Sequence, residues 1–181
     1  AGEVKLMTGL QGGVWIPLGG QLKDMWEKAV GGLSVQALPG AGIANVRGIE
    51  EGKADVGFGN SISTVDALAG NPPFTKKHGN VCNIATLYPQ YYQVVTRADA
   101  KVAGMGYNDV KMSFVSYTDS VTQMQDGHAV AFALGTTIPS GSVMDLAAAR
   151  DIKLLDMSDM YEDMRKINPG YTLVTVPKGT Y

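Results

Sequence analysis

The residues of this chain best placed to do chemistry are the backbone groups of its glycine-led turns, more than its ionisable side chains. Thr8 to Gly20 reads TGLQGGVWIPLGG. Glycine lets a backbone approach a ligand closely, and the N–H groups at a helix start lack intrahelical partners and favour an anion. The candidates here are Thr8, Gly12, Gly13, Val14 and Trp15, and a plain tight turn is the competing reading. A phosphate loop is excluded, because no Gly-Lys-Ser/Thr follows. Leu38 to Asn45 reads LPGAGIAN. Its Gly40-Ala41-Gly42 turn partly matches a dinucleotide fingerprint, but Asn45 holds the third glycine position and no acidic residue closes the second strand at the usual place. A nest of N–H groups for a carboxylate needs fewer assumptions.

Other segments end strand-like runs with hydroxyls and amides. Gly59 to Thr64 offers Asn60 and Ser61, although Ser61 or Ser63 also suits a helix N-cap. Tyr88, Tyr91 and Tyr92 either wall a pocket or sit as half-buried strand aromatics. Arg97 either pairs with a ligand carboxylate or lies on the surface. Thr118, Thr136 and Pro139 occupy the corresponding turns further along.

Nothing assembles into a catalytic set. The histidines, His78 and His128, have no obvious nucleophile nearby in sequence, and no Gly-x-Ser-x-Gly occurs. The lone Cys82 forms no internal disulfide and no Cys-rich zinc site. No catalytic residue, metal ligand or cofactor is expected. Lys plus Arg number 15 against 17 Asp plus Glu, a formal charge of −2, without the basic excess of a nucleic-acid binder. No apolar run reaches the length of a membrane span. The start at Ala1 fits an exported, processed protein and a trimmed one equally.

The elements that must hold these turns alternate. Val4–Thr8 predicts a strand and Val14–Val30 a helix, with Leu18, Leu22, Met25, Trp26 and Val30 at helical spacing. Leu33–Leu38 predicts a strand, Ile43–Glu51 a helix and Ala54–Gly59 a strand. Val110–Ser116 predicts a strand, Tyr117–Asp119 a turn, Ser120–Gln125 a helix and Ala129–Leu134 a strand. Tyr161–Lys166 predicts a solvated helix face. Residues 33–60 and 110–135 share one plan, which suggests two similar α/β lobes built on largely parallel sheets, with ligands bound beyond the carboxyl ends of the strands in a cleft between the lobes.

TGLQGGVWIPLGG resembles the opening segment of the TAXI-type substrate-binding receptors of TRAP transporters, with Trp15 at one aromatic position and Ile16 in place of the second. PGAGIANVRGIEEGKADVGFGNS resembles that family's next block, with Pro39, Gly40, Ala41 and Gly42 where Thr-Gly-Gly-Ser is more usual. LYPQYYQVV, AVAFALGTTIPSGSVMDLA and VPKGTY follow in the family's order. One departure stands out: Asp99-Ala100-Lys101 runs straight into Val102-Ala103-Gly104-Met105-Gly106, where the family has a strand, a Gly/Ser-rich turn and a helix. This suggests that residues are omitted at Lys101–Val102.

The resemblance implies an α/β, two-lobed periplasmic-binding-protein-like fold, with a first lobe and hinge strand over 1–101 and part of a second lobe over 102–181. It implies a periplasmic, monomeric, non-enzymatic receptor that hands a small anionic solute, a carboxylate or amino acid of the glutamate-like class, to TRAP-type membrane permease subunits. The ligand-binding positions expected are Thr8, Gly12, Gly13, Val14, Trp15, Gly40, Ala41, Gly42, Asn45, Asn60, Ser61, Tyr88, Thr118, Thr136 and Pro139, with Trp15 packed on the ligand's apolar part. Ala41 and Ile16 argue against copying glutamate specificity directly. A nucleotide-dependent enzyme using the Gly40-Ala41-Gly42 turn is the alternative, and a sensor input is a third.

Overall fold

The computed structural model describes residues 2–102 and 104–181 and divides into two compact units, Ala1–Tyr88 and Pro89–Tyr181. The domain boundary expected at Lys101–Val102 thus has a second candidate beside it, at Tyr88–Pro89.

In the first unit, strands β1 (Glu3–Met7), β2 (Ser34–Leu38) and β3 (Val56–Gly57) form a parallel sheet in the order β2-β1-β3. Leu6 pairs with Ala37 on one side and Val56 on the other. Each strand leads into a helix: α1 (Trp15–Ala29), α2 (Gly42–Glu50) and α3 (Ser61–Ala69). This is the expected grammar. Parallel strands require crossovers, so all three strand ends, and the helix starts that follow them, fall on one edge of the sheet.

The amphipathic reading of α1 needs correction. Gly19 is its buried residue, whereas Met25 is 63% and Val30 54% exposed. Gly19 is buried because α1 crosses the end of β1 closely: a Cβ there would collide with Thr8 Cγ2. In α2, Val46 is buried as expected, but Ile43 at the helix start is exposed. Val46, Ala67 and Phe74, with Val81 against them, form the core between α2, α3 and the chain that follows.

The second unit departs from the expected parallel sheet. Its strands β4 (Tyr91–Arg97), β5 (Ala131–Thr136) and β6 (Ile152–Leu154) lie in the order β5-β4-β6, and β4 is antiparallel to both neighbours. The crossover helix α5 (Gly141–Ala149) carries the chain from β5 to β6, and β4 occupies the slot between them, so no two parallel strands touch. Val110–Ser116 forms no strand, and Phe114 is 85% exposed. Helix α4 spans Tyr117–Gln125, so the turn expected at Tyr117–Asp119 is instead its first turn. The reason is the cap: Ser116 Oγ accepts from the Asp119 N–H at 3.1 Å, which starts the helix three residues early. Helix α6 (Tyr161–Ile167) follows. Val95, Val121, Met124, Phe132, Leu134, Val143 and Leu146 make this unit's core. Among the described residues no helix is long and apolar enough to cross a membrane.

Candidate functional site

The helix starts of the first unit are unusual in what they lack. Val14 before α1, Ala41 before α2 and Asn60 before α3 give no side-chain cap, and none of the three helices has an acidic residue in its first turn. The Ser61 or Ser63 cap considered from sequence does not form. Each helix has nine residues or more, so each carries a developed positive end. Side chains from two of these starts reach the third. A Cβ built on Gly42, the first residue of α2, would lie 3.2 Å from Asn60 Nδ2, 3.8 Å from Ser63 Oγ and 3.8 Å from Trp15 Cη2. The tip of the Trp15 ring from α1 and the Asn60 and Ser63 side chains from the start of α3 therefore converge on the first residue of α2.

Asn45 holds this arrangement together. It is 1% exposed. Its Nδ2 donates to Thr8 O at 2.7 Å and Phe58 O at 2.8 Å, with Met7 O at 3.4 Å, and its Oδ1 accepts from the Ala41 N–H at 3.1 Å. One amide thus ties the ends of β1 and β3 to the start of α2. Gly40 must lack a side chain for the same reason, since a Cβ there would run into Asn45 Oδ1. That explains both the glycine and the asparagine in LPGAGIAN. Thr8 is likewise 4% exposed and donates from Oγ1 to Leu38 O at 2.8 Å. The side chains of Thr8 and Asn45 are committed to backbone groups behind the loops.

Trp15 is half-buried. Its ring stacks on Phe58 with centroids 5.6 Å apart and 25° between planes, and its Cβ leaves no room for a side chain on Gly9. One ring face is therefore covered by the protein itself. Gly12 has φ +82°, a left-handed conformation that suits glycine, and the Gly13 N–H closes the turn on Leu10 O at 3.0 Å. Beside these loops lies a cleft of about 520 Å³ lined by Gly9, Leu10, Gln11, Ile16, Pro39, Gly40, Ala41 and Ala44. Gly9, Leu10, Gln11 and Ala44 were not singled out from sequence, and Ile16 and Pro39 were noted only as departures from the family pattern. Ala44 lies one helical step inside α2 on the side of Gly40 and Ala41, a periodicity that could have revealed it.

The expected residues of the second unit are placed differently. Thr136 is 2% exposed at the end of β5. Thr118 sits in the first turn of α4, whose start is already satisfied by Ser116 and made negative by Asp119. An anion gains little there. Helix α5 is the contrasting case: it has no side-chain cap and no acidic first-turn residue. The preceding turn, Thr137 to Ser140, is held by a network. Tyr181 Oη accepts from the Ser140 N–H at 3.0 Å and donates to Gln93 Oε1 at 2.7 Å, while Gln93 Nε2 donates to Thr137 O at 3.3 Å. Thr137 Oγ1 also donates to Pro139 O at 3.1 Å. Burial pushes the Tyr181 phenol up from its ordinary value, and its hydrogen bonds oppose that. Sequence gave no hint of this network, whose partners are 41 and 88 residues apart.

Tyr88 closes the first unit and is half-buried. Tyr91 and Tyr92 lie in β4, and Tyr92 is held above the usual phenol range by desolvation and by Tyr171. Arg97 is engaged as a fork, Nε to Asp99 Oδ1 at 3.0 Å and Nη2 to Oδ2 at 2.6 Å, which answers the question sequence left open about it. Among the described residues no group of three or more His, Cys, Asp or Glu side chains could hold a metal ion.

The family model described as the NMT1-like family matches residues 6–106 and residues 97–181. That family is one of periplasmic solute-binding proteins related to the TRAP- and TAXI-type receptors, a non-enzymatic class.

Proposed function

The chain belongs to the NMT1-like family, and from that premise we propose that it is a TAXI-type extracytoplasmic receptor that delivers a small carboxylate or amino acid to the subunits of a TRAP-type permease, acting as a monomer and without catalysis. The observation that carries the anion is that side chains from the uncapped starts of α1 and α3 converge on Gly42, the first residue of uncapped α2, with no acidic side chain in any first turn. A carboxylate held by the N–H groups of Val14 and Trp15, Gly42 and Ser61 completes hydrogen bonds that these helices do not make for themselves, whereas the Gly13 and Ala41 N–H groups are already taken by Leu10 O and Asn45 Oδ1; it needs no arginine. Asn60 adds a side-chain amide beside Gly42. In the second unit the uncapped start of α5, after Thr136 and Pro139, offers amides of the same kind.

The two matched segments share residues 97–106. The sequence leaves the family order within that stretch, and the overlap supports the reading that a family segment is absent at Lys101–Val102.

The test is a thermal-shift panel of organic acids, amino acids and nucleotides. A ligand at 100 times its Kd adds about 2.7 kcal/mol, a rise of about 5–11 °C in Tm for a chain of this size. Stabilisation by a carboxylate and none by nucleotides is the expected result. Stabilisation by a nucleotide alone would instead favour an enzyme using the Gly40-Ala41-Gly42 turn.

A further inference from the structure

The cleft in the first unit has a chemistry that a generic carboxylate site does not require. Its side chains are Leu10, Ile16, Pro39, Ala41 and Ala44, with Gln11 the one polar group, and none of its lining residues is ionisable. Leu10 is 40% and Ile16 41% exposed, so two large apolar side chains leave part of their surface open at the cleft. The volume of about 520 Å³ falls within the range of small-molecule sites, roughly 300–1,000 Å³. The cleft is continuous with the proposed anion site, because Ala41 belongs to both: it lines the cleft and caps α2.

We infer that the solute is an amphipathic monocarboxylate, with an aliphatic or aromatic body lying on the Leu10–Ile16–Ala44 wall and its single carboxylate at the helix starts. This rests on the function proposed above and narrows it. A second carboxylate, as in glutamate, would be desolvated against a wall with one amide to meet it, which is unfavourable. An alkyl chain there displaces water from apolar surface instead.

The experiment is calorimetric titration of the full 181-residue chain with straight-chain monocarboxylates from butanoate to octanoate. Glutarate is set against pentanoate at equal carbon number, and glutamate against norvaline as the α-amino pair. Each added methylene is expected to tighten binding about two- to fourfold, and each diacid to bind at least about tenfold more weakly than its monoacid partner. Ile16→Asn and Leu10→Asn, both at partly exposed positions, should flatten the chain-length dependence while lowering the ligand-free Tm by no more than about 2–4 °C. A flat series, or a diacid that binds as tightly as its partner, overturns this inference and leaves the carboxylate receptor standing. A steep series unaltered in both variants overturns the location of the apolar body. If no monoacid, diacid or amino acid binds, the carboxylate reading itself fails, and this inference with it.

Discussion

Asn45→Ala tests whether the first unit's loops are organised as described. The amide makes three hydrogen bonds of good length, to Ala41 N–H, Thr8 O and Phe58 O, in a site 1% exposed. At about 1 kcal/mol per bond, and with a backbone N–H and two carbonyls left buried without partners, the loss comes to about 3–5 kcal/mol. Both tryptophans, Trp15 and Trp26, lie in the first unit. Their fluorescence in urea therefore follows that unit alone, which avoids a two-state assumption for the whole chain. With a slope of about 1–1.5 kcal/mol per M for a unit of this size, the midpoint should fall by about 2–5 M, or the unit should fail to fold in water. Asn45→Asp discriminates further. It keeps an acceptor for the Ala41 N–H but turns a carboxylate oxygen towards the Thr8 and Phe58 carbonyls, so it should be at least as damaging as alanine at neutral pH. An Asn45→Ala midpoint within about 0.5 M of the parent, or an Asn45→Asp variant clearly more stable than Asn45→Ala, would refute the argument. A ligand-contact role alone predicts the first of these outcomes.

Ile43→Glu places a carboxylate in the first turn of α2 at an exposed position; it should raise ligand-free stability by about 0.3–1 kcal/mol in urea titrations while weakening carboxylate binding, and parallel effects on both would contradict the anion site. Tyr181→Phe removes the bonds to Ser140 N–H and Gln93 Oε1 and should cost the second unit about 1–2 kcal/mol, with faster amide exchange at Ser140. Because the folded-state phenol is raised by burial, the Tyr181 contribution is fully present below the ordinary phenol range near pH 10 and is lost as pH rises through the higher folded value; the variant should therefore have the flatter alkaline limb. Glu27 is held below its ordinary value chiefly by its bond to Lys23 and also by the Val35 N–H, so its contribution exists above about pH 4.5 and is lost as pH falls through the lower folded value. Glu27→Gln should flatten the acid limb followed by tryptophan fluorescence.

The first unit was largely legible because its rules are local. A strand ending in glycine and followed by an apolar 3.6-residue period is a βα unit wherever it stands, and β1 to α3 follow the expected order within a residue or two. What failed there was burial: α1 shows its helical period, yet the period marks Met25 and Val30, which are exposed, as readily as it marks Leu18 and Trp26. The second unit failed at the level of partners. Val110–Ser116 has strand composition, but a strand exists only when paired, and among the described residues it joins no ladder. The antiparallel placement of β4 depends on contacts between residues 91–97 and 131–136, which no short window contains. At the site, the glycines were legible as places of close approach. The group that makes Gly40 necessary is Asn45, which looked like a ligand contact and whose side chain serves as the brace.

Capping separates the helices into two kinds. A side-chain cap contributes about 1 kcal/mol, and an acidic residue in the first turn contributes up to about as much again. Helix α4 uses both, through Ser116 and Asp119, and α6 carries Glu162 and Asp163 in its first turn. Helices α1, α2, α3 and α5 use neither. Helix length does not account for the division, because α4 and α5 have the same length and lie in the same unit. Position does account for it in the first unit, where the three uncapped helices follow the three strands of one parallel sheet and so start on one edge. A sequence selected for stability alone would place Ser, Thr or Asp at Val14 and Ala41, both of which precede helices and neither of which is in the core. Leaving those positions apolar keeps the amides open and the local field positive, and the apolar wall beside them removes competing polar groups. Both features suit a solute that brings one negative charge and its own hydrophobic surface.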